Sequence, residues 1–307
     1  MQPVWSETAA AVAAVREVVP VLLGRQGAED VRAKAPGDLV TASDLLIEAT
    51  LQRRLAERCP DVAFVGEEGG QALPAGGRVW LVDPLCGTAN YAAGLRLYAI
   101  NVALVEDGQV MAAVVADGAT GELYVAERGR GAWRLEADQT IQRLDRADQA
   151  VQPLSRTGQT MQRLGRAGQA VEPLDAADRA VALKVSPASG LVSVDPTLAA
   201  PGALHDFGRQ FAIRVLSDGR YRVRVLSTTL VLPLLASGHL AAAVYSNAAS
   251  PVHLAAGLLL AEEAGALVTD HAGAAWQLAS PVFVVAASDV LHRDLLRLVQ
   301  ATLAALA

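Results

Sequence analysis

The amino-acid sequence predicts an α+β fold, and three observations support this. Apolar residues recur at spacings of three and four over residues 5–24, as in an amphipathic helix. Two apolar runs, 99–105 and 110–116, flank Glu106-Asp107-Gly108, and Asp-Gly readily takes the positive φ of a tight hairpin turn. Residues 183–307 alternate between helix-like and strand-like segments. Helices beside an antiparallel pair favour α+β over a purely doubly wound sheet.

The first half contains two predicted helices and two further predicted strands. Ser6 is a candidate N-cap for the first helix. The second helix covers residues 43–58 and ends at Cys59-Pro60. Short apolar runs at 62–65 and 79–82 are bounded by Gly and Pro, which predicts buried strands.

The second half contains the remaining predicted elements. Its strands are expected at residues 183–186, 221–226 and 240–244. Its helices are expected at 201–211, 229–236 and 251–264, and in a closing segment that Ser288 caps. We therefore expect an N-terminal α+β subdomain at residues 1–185 and a C-terminal α/β subdomain at residues 186–307.

Residues from about 138 to 182 differ in composition from the rest of the first subdomain. They are rich in Gln, Arg, Asp and Gly, and similar segments recur with a period of roughly ten residues, as after a tandem duplication. Pro153 and Pro173 discourage a long helix. Two interpretations stay open: an extended or mobile surface insertion, or an ordered part of a binding rim.

Composition and charge exclude several classes of protein. The 307 residues carry a net charge of -6, which argues against nucleic acid as the main partner. No run reaches the ~20 apolar residues that span a bilayer. The N-terminus lacks a basic region followed by an apolar block, so we expect a cytoplasmic protein. Two cysteines are too few for a disulfide framework or a multi-cysteine metal site.

Three motifs, in their order and spacing, resemble the inositol monophosphatase superfamily. They are Val-Gly-Glu-Glu-Gly-Gly at 65–70, Trp-Leu-Val-Asp-Pro-Leu-Cys-Gly-Thr-Ala-Asn-Tyr at 80–91, and Val-His-Leu-Ala-Ala-Gly from 252, which leads to Glu-Ala-Gly at 263–265. The resemblance covers nearly the whole chain except the insertion. It implies a layered αβαβα sandwich.

The resemblance also implies roles for individual residues. Glu67, Asp83 and the Leu85 carbonyl would be metal ligands, and Thr88 would help activate water. The amides of Gly87 and Thr88 would hold phosphate at a helix N-terminus. Two further aspartates of the family's metal cluster are replaced here.

The replacing residues are Cys86 and His253. Because Mg²⁺ prefers carboxylate oxygens, this pair points away from metal-dependent hydrolysis and predicts a site with no metal. Both positions approach one ion in the family, so we expect the thiol and imidazole to form a nucleophile and base pair. Asp117 or Asp83 would orient the ring. Asp117 is a candidate because the strand before it runs back toward the edge that carries Cys86. We favour it over Asp83, because Asp83 stands only three residues from Cys86 and the turn would occupy its side chain.

The position of Cys86 before Gly87 and Thr88, at a predicted helix start, would lower the thiol pKa, and those amides would form an oxyanion hole. The set Cys86, Asp117 and His253 resembles that of the Dieckmann cyclases of tetramic acid and pyridone biosynthesis. The resemblance implies release of a carrier-bound β-ketoamide thioester through a Cys86 acyl-enzyme, with no cofactor. The implied partner is an acyl or peptidyl carrier protein, and a homodimer is possible.

Two alternatives stay open beside the cyclase. The first is a sugar or inositol phosphate monoesterase with a degenerate metal site, which holds one Mg²⁺ at Glu67, Asp83 and Leu85, or a softer ion at Asp83, Cys86 and His253. The second is a catalytically inactive family member that binds its ligand in the old phosphate pocket.

Overall fold

The computed structural model of the chain describes residues 5–26, 32–35, 38–69, 72–74, 76–135, 163–164, 170–171, 180–194, 206–246 and 250–306. The helices in these residues are α1 (Ser6–Arg25), α2 (Ala42–Arg58), α3 (Thr88–Ala92), α4 (Phe207–Asp218), α5 (Val231–Ala236), α6 (Ala255–Glu263) and α7 (Asp289–Leu306). None of these helices is long and apolar enough to cross a lipid bilayer.

The strands of the first half are β1 (Arg32–Ala35), β2 (Asp38–Val40), β3 (Ala63–Gly66), β4 (Arg78–Cys86), β5 (Ala99–Glu106), β6 (Gln109–Asp117), β7 (Leu123–Glu127), β8 (Gly131–Leu135), β9 (Arg163–Leu164), β10 (Ala170–Val171) and β11 (Ala180–Ala182). Those of the second half are β12 (Leu191–Val194), β13 (Arg222–Arg224), β14 (Ala242–Ser246), β15 (Leu267–Asp270) and β16 (Val282–Ala286).

A seven-stranded sheet carries the first half of the chain, in the order β11-β8-β7-β6-β5-β4-β3. Only β3 and β4 run parallel to each other, and the other neighbouring strands are antiparallel. The expected hairpin is confirmed as β5 and β6, whose turn places Asp107 at φ 50° and Gly108 at φ 79°. Short pairs β1 with β2 and β9 with β10 lie outside this sheet.

A five-stranded sheet carries the second half, in the order β13-β12-β14-β16-β15. Its strand β12 is parallel to both β13 and β14, whereas β16 is antiparallel to β14 and β15. The sheet is therefore mixed, as α+β proteins allow.

The two sheets and three groups of helices form five layers. Apolar residues of α1 and α2 pack on one face of the seven-stranded sheet. Residues of α5 and α6 cover its other face and also pack against the five-stranded sheet. Helices α4 and α7 cover the outer face of the second sheet. This arrangement confirms the expected αβαβα sandwich.

Strand β4 lies between two helical layers, and its sequence reflects that position. Residues 79–85 are all buried, although they include Asp83. A strand buried on both faces has a nearly continuous apolar run, which is why the sequence predicted it as a buried strand. The single carboxylate in this run marks where the strand meets the candidate site.

Several expected boundaries differ from the observed ones. The strand expected at 183–186 lies instead at Ala180–Ala182, where it pairs with β8. Residues 251–254 form a turn, so α6 begins only at Ala255. The helix expected at 201–211 is observed at Phe207–Asp218, and residues 201–205 lie outside the described part.

The repeat-containing insertion also lies largely outside the described residues, apart from β9, β10 and β11. The proposed subdomain boundary near residue 185 falls between the last strand of the first sheet and the first strand of the second. A single apolar core nevertheless includes residues from both halves. The division into subdomains stays a prediction.

Candidate active site

The candidate site lies at the carboxyl end of β4, where the chain turns sharply into α3. The register between β4 and β5 shifts between Asp83 and Cys86, so the strand bends there. Gly87 follows at φ 94°, and a Cβ atom on it would lie 2.7 Å from the carbonyl oxygen of Leu97. Only glycine fits both requirements. This bend directs Asp83 and Cys86 toward the same region.

His253 lies in the turn before α6 and completes this group. Its Nδ1 atom is 2.9 Å from Oδ2 of the buried Asp83 and 3.9 Å from Oε2 of Glu67, which follows β3. A carboxylate oxygen of Asp83, the Cys86 sulfur and a ring nitrogen of His253 lie within 4.8 Å of one another. The structure therefore brings Cys86 and His253 together, with Asp83 as the carboxylate on the imidazole.

Asp117 does not occupy the ring-orienting position that the sequence favoured. Its Oδ1 atom accepts hydrogen bonds from the amides of Ala119 (2.9 Å) and Thr120 (3.2 Å), so it caps the turn between β6 and β7. Asp117 pairs with Ala99, and Ala99 pairs with Cys86. Two strand spacings, about 10 Å, thus separate Asp117 from Cys86 along the sheet. Of the two open alternatives, the geometry selects Asp83.

The environment of Cys86 also differs from the sequence-based expectation. Burial raises the pKa of the Cys86 thiol well above its usual range, and the Asp83 carboxylate adds to this effect. The Thr229 amide, which donates a hydrogen bond to the sulfur at 3.3 Å, acts in the opposite direction. The expected lowering of the pKa is therefore wrong. Desolvation and a nearby carboxylate outweigh the helix start that follows Cys86.

A pair of polar side chains fixes the positions of Asp83 and Cys86 relative to each other. Asn101 on β5 donates to Asp83 Oδ2 at 3.4 Å and to the Thr229 hydroxyl at 2.8 Å. Thr229 in turn holds the Cys86 sulfur through its amide. The Leu85 amide donates to Asp83 Oδ1 at 3.1 Å. Sequence reasoning missed Asn101 and Thr229, because their partners lie on other elements.

The Thr88 hydroxyl lies beside this group, on the first residue of α3. It is 2.9 Å from the Leu85 carbonyl oxygen and 3.2 Å from Oδ1 of Asp44. Asp44 Oδ2 accepts from the amide (2.8 Å) and the hydroxyl (2.6 Å) of Thr41, the N-cap of α2. Burial raises the pKa of Asp44, against the lowering effect of the hydrogen bonds from Thr41 and Thr88. A threonine hydroxyl held by a buried carboxylate can pass on a proton.

Asp44 is a third residue that sequence reasoning missed, although a signal was present. Thr41 precedes a helix and stands three residues before Asp44, the spacing of a capping box. That pattern predicts a helix start, but only the tertiary structure brings the capping carboxylate to Thr88.

Magnesium does not fit the group that Asp83, Cys86 and His253 form. Mg²⁺ prefers oxygen ligands in near-octahedral geometry, whereas two of these three donors are sulfur and nitrogen. The alternative ion at Glu67, Asp83 and Leu85 would share Asp83 with the imidazole, whose nitrogen is only 2.9 Å from the same carboxylate oxygen. We therefore assign no step to magnesium.

Known proteins resemble this chain in sequence and in fold. An inositol-1-monophosphatase of Rhizobium meliloti is 43% identical over 101 residues, which cover 33% of this chain and 38% of that protein. A histidinol-phosphatase of Mycobacterium tuberculosis is 38% identical over 111 residues, or 36% of this chain and 43% of that protein. The chain thus aligns with about two fifths of each relative. The structure of an IMPase from Thermotoga maritima covers 96% of this chain and 97% of its own, with a TM-score of 0.71 and 23% identity.

These findings correct the functional prediction. Both relatives described above are phosphatases by name, so the expected Dieckmann cyclase is wrong, as are cysteine-dependent acyl transfer and a role in tetramic acid or pyridone biosynthesis. The expected carrier-protein partner rested on the cyclase and loses its basis. The raised pKa of the Cys86 thiol agrees with the correction, because a protonated thiol is a poor nucleophile.

The family itself is shown by the length of the match. The family model described as the inositol monophosphatase family matches residues 3–304, which is nearly the whole chain. The five-layered fold and the motif at the end of β4 agree with that match. The chain therefore belongs to the inositol monophosphatase family.

Proposed function

We propose that this protein is a phosphate monoesterase that hydrolyses small phosphorylated alcohols of the polyol or sugar class. The observation that carries this proposal is the Thr88 hydroxyl, which contacts Asp44 and the Leu85 carbonyl beside Asp83. The names of the relatives support the reaction class.

The Thr88 and Asp44 pair supplies the proton acceptor that ester hydrolysis needs. Thr88 has one hydroxyl proton, and it can donate that proton to Asp44 Oδ1. Its oxygen is then free to accept a proton from a water molecule that attacks phosphorus. The bond between phosphorus and the alcohol oxygen breaks, and the alcohol leaves with a proton from solvent. Thr41 keeps Asp44 in place, because it donates two hydrogen bonds to the other carboxylate oxygen.

The test is phosphate release from inositol 1-phosphate, histidinol phosphate and glucose 1-phosphate. The protein is first treated with chelator and then assayed with Mg²⁺, Mn²⁺, Co²⁺ or Zn²⁺ added singly. We expect hydrolysis of at least one ester. The Thr88→Ala and Asp44→Asn variants should each lower kcat by about a hundredfold or more, because each removes one part of the proton path.

Thr50→Ala is the matched control, since Thr50 lies on the same helix as Asp44 and its exposed hydroxyl donates to the Leu46 carbonyl of that helix. It should retain the parental rate. Folded protein that releases no phosphate from any of the three esters with any of the four ions would overturn the proposal. Binding of these esters without turnover would favour the inactive family member instead.

A further inference from the structure

The donor atoms at the end of β4 form a group of unusual composition. Histidine, cysteine, aspartate and glutamate side chains can bind metal ions. In the described part of the chain, one set of three or more of them has ligand atoms within 4.8 Å of one another, and it consists of Asp83, Cys86 and His253. The set combines a carboxylate oxygen, a sulfur and an imidazole nitrogen. Its members come from one strand end and from the turn before α6, so only the folded chain assembles it.

We propose that this group is a site for a soft divalent cation, Zn²⁺, in place of a hard one. Thiolate, imidazole and carboxylate are the ligands that zinc takes in proteins, and sulfur in particular discriminates against Mg²⁺. Three protein ligands leave one position of a tetrahedral ion open for water or substrate.

The distances suit an ion of that size. Zinc bonds of about 2.0 Å to nitrogen and oxygen and about 2.3 Å to sulfur place tetrahedral ligand atoms about 3.3 to 3.6 Å apart. The imidazole nitrogen and carboxylate oxygen are 2.9 Å apart, and all three ligand atoms lie within 4.8 Å. Shifts of about 1 Å in side-chain position would bring them to bonding distance.

Surrounding hydrogen bonds orient two of the three donors, Asp83 and Cys86. The Thr229 amide points at the Cys86 sulfur, and Asn101 links Asp83 to the Thr229 hydroxyl. Such contacts orient the ligands of protein metal sites and keep their geometry constant. They also connect the end of β4, which carries Cys86, to Thr229 in the segment before α5.

The charge of the site supports a cation as its occupant. The Glu67 and Asp83 carboxylates both face the imidazole of His253, at 3.9 Å and 2.9 Å. A phosphate ester brought to two carboxylates would be repelled, and a divalent cation between them would offset that repulsion. The inference thus complements the proposed phosphatase, but it depends only on metal binding, which is measured without substrate.

Metal binding is tested on the full chain after chelation. Equilibrium dialysis against Zn²⁺ followed by elemental analysis should give one zinc ion per chain. Co²⁺ in its place should produce the near-ultraviolet band of a cobalt–thiolate bond. Cys86→Ser should abolish that band, and both Cys86→Ser and His253→Asn should weaken Zn²⁺ binding by about a hundredfold, because each removes a ligand.

Cys59→Ser is the matched control, since Cys59 is the second cysteine and packs against the core under α1 and α2. It should leave zinc stoichiometry and the cobalt band unchanged. The double variant Cys86→Asp with His253→Asp restores an all-oxygen set and should exchange the Zn²⁺ preference for Mg²⁺. A parent protein that takes up no Zn²⁺, or a Cys86→Ser variant that binds it equally well, would overturn the inference. Zinc binding without phosphate release would overturn only the proposed function, and phosphate release without zinc binding only this inference.

Discussion

Each of the two carboxylate oxygens of Asp83 has its own partners in the candidate site. Oδ1 accepts a hydrogen bond from the Leu85 amide, and Oδ2 contacts both His253 and Asn101. The proximity of Asp83 to Cys86 in sequence suggested that the turn would occupy it. The bend of β4 instead leaves one oxygen facing the imidazole. Asp83, three positions before the cysteine, therefore contacts the ring in place of the expected Asp117.

The two cysteines differ in what surrounds them. Both cysteines pack against apolar clusters, but Cys86 also accepts a hydrogen bond from the Thr229 amide and lies within 4.8 Å of donor atoms of Asp83 and His253. Burial raises the pKa of Cys59 to about 11, and the Glu7 carboxylate adds to the effect. A thiol with such a pKa is almost entirely protonated at neutral pH, so Cys59 is a poor nucleophile in the folded protein.

We predict that iodoacetamide alkylates Cys59 about two hundredfold more slowly at pH 8 in the folded protein than in the unfolded chain, where the pKa is about 8.5. Only the thiolate reacts, so a raised pKa lowers the rate at every pH below it. The folded rate should rise about tenfold per pH unit from pH 8 to pH 10. Mass spectrometry of the labelled peptide measures this. A rate that levels off near pH 9 would show that the pKa is not raised.

At the scale of elements, helices α5 and α6 illustrate how closely the central layer is packed. A Cβ atom at Gly257 on α6 would lie 2.4 Å from Leu232 Cδ1 and 2.8 Å from its Cβ. Rotation of the leucine side chain can move Cδ1 away, but the position of Cβ is fixed by the backbone of α5. Glycine is therefore required at this crossing, which lies in the first turn of α6, directly after the turn that carries His253.

Gly257→Ala should lower the free energy of unfolding by about 1 to 3 kcal/mol, because the added methyl group overpacks the contact between α5 and α6. Gly24→Ala is the control in helix α1, where no atom lies within 4 Å of the added Cβ. It should raise stability by about 0.5 to 1 kcal/mol through the lower entropy of the unfolded chain. Urea unfolding measures both. Equal effects of the two substitutions would contradict this account.

At the scale of the whole molecule, the end of α6 joins the two halves of the chain. The Glu263 carboxylate accepts a hydrogen bond at 2.7 Å from the amide of Gly129, in the turn between β7 and β8, and one at 2.8 Å from the amide of Gly131, the first residue of β8. Its neighbour Glu262 is 3.3 Å from Arg128 in the same turn. The candidate site depends on this docking, since α6 also positions His253 against strand β4.

Glu263→Ala should destabilise the protein by about 1 to 2 kcal/mol, because two backbone amides lose their acceptor. Hydrogen exchange at Gly129 and Gly131 should become faster. Glu263→Gln keeps one acceptor oxygen and should have an intermediate effect on both measurements. Unchanged exchange at these two amides in the alanine variant would rule out the bridging role of the carboxylate.

The sequence by itself determined the helices and strands that have strong local signals, and it determined the family. The 3.6-residue period of α1, the Asp107-Gly108 turn and the apolar run of β4 each depend on residues close together in the chain. The motif around Asp83, Cys86 and Thr88 depends on residue identity alone. Local physics and residue identity are both readable without a tertiary structure.

Only the tertiary structure decided what the site can do. In the folded chain, Asp83 contacts the His253 ring and Asp44 accepts a hydrogen bond from the Thr88 hydroxyl. Asp117 lies instead in a turn two strands away from Cys86. The tertiary structure also raised the pKa of Cys86, because burial and a neighbouring carboxylate depend on residues far away in sequence. Contact distances and desolvation arise from the packing of distant segments, and a pattern of neighbouring residues does not contain them.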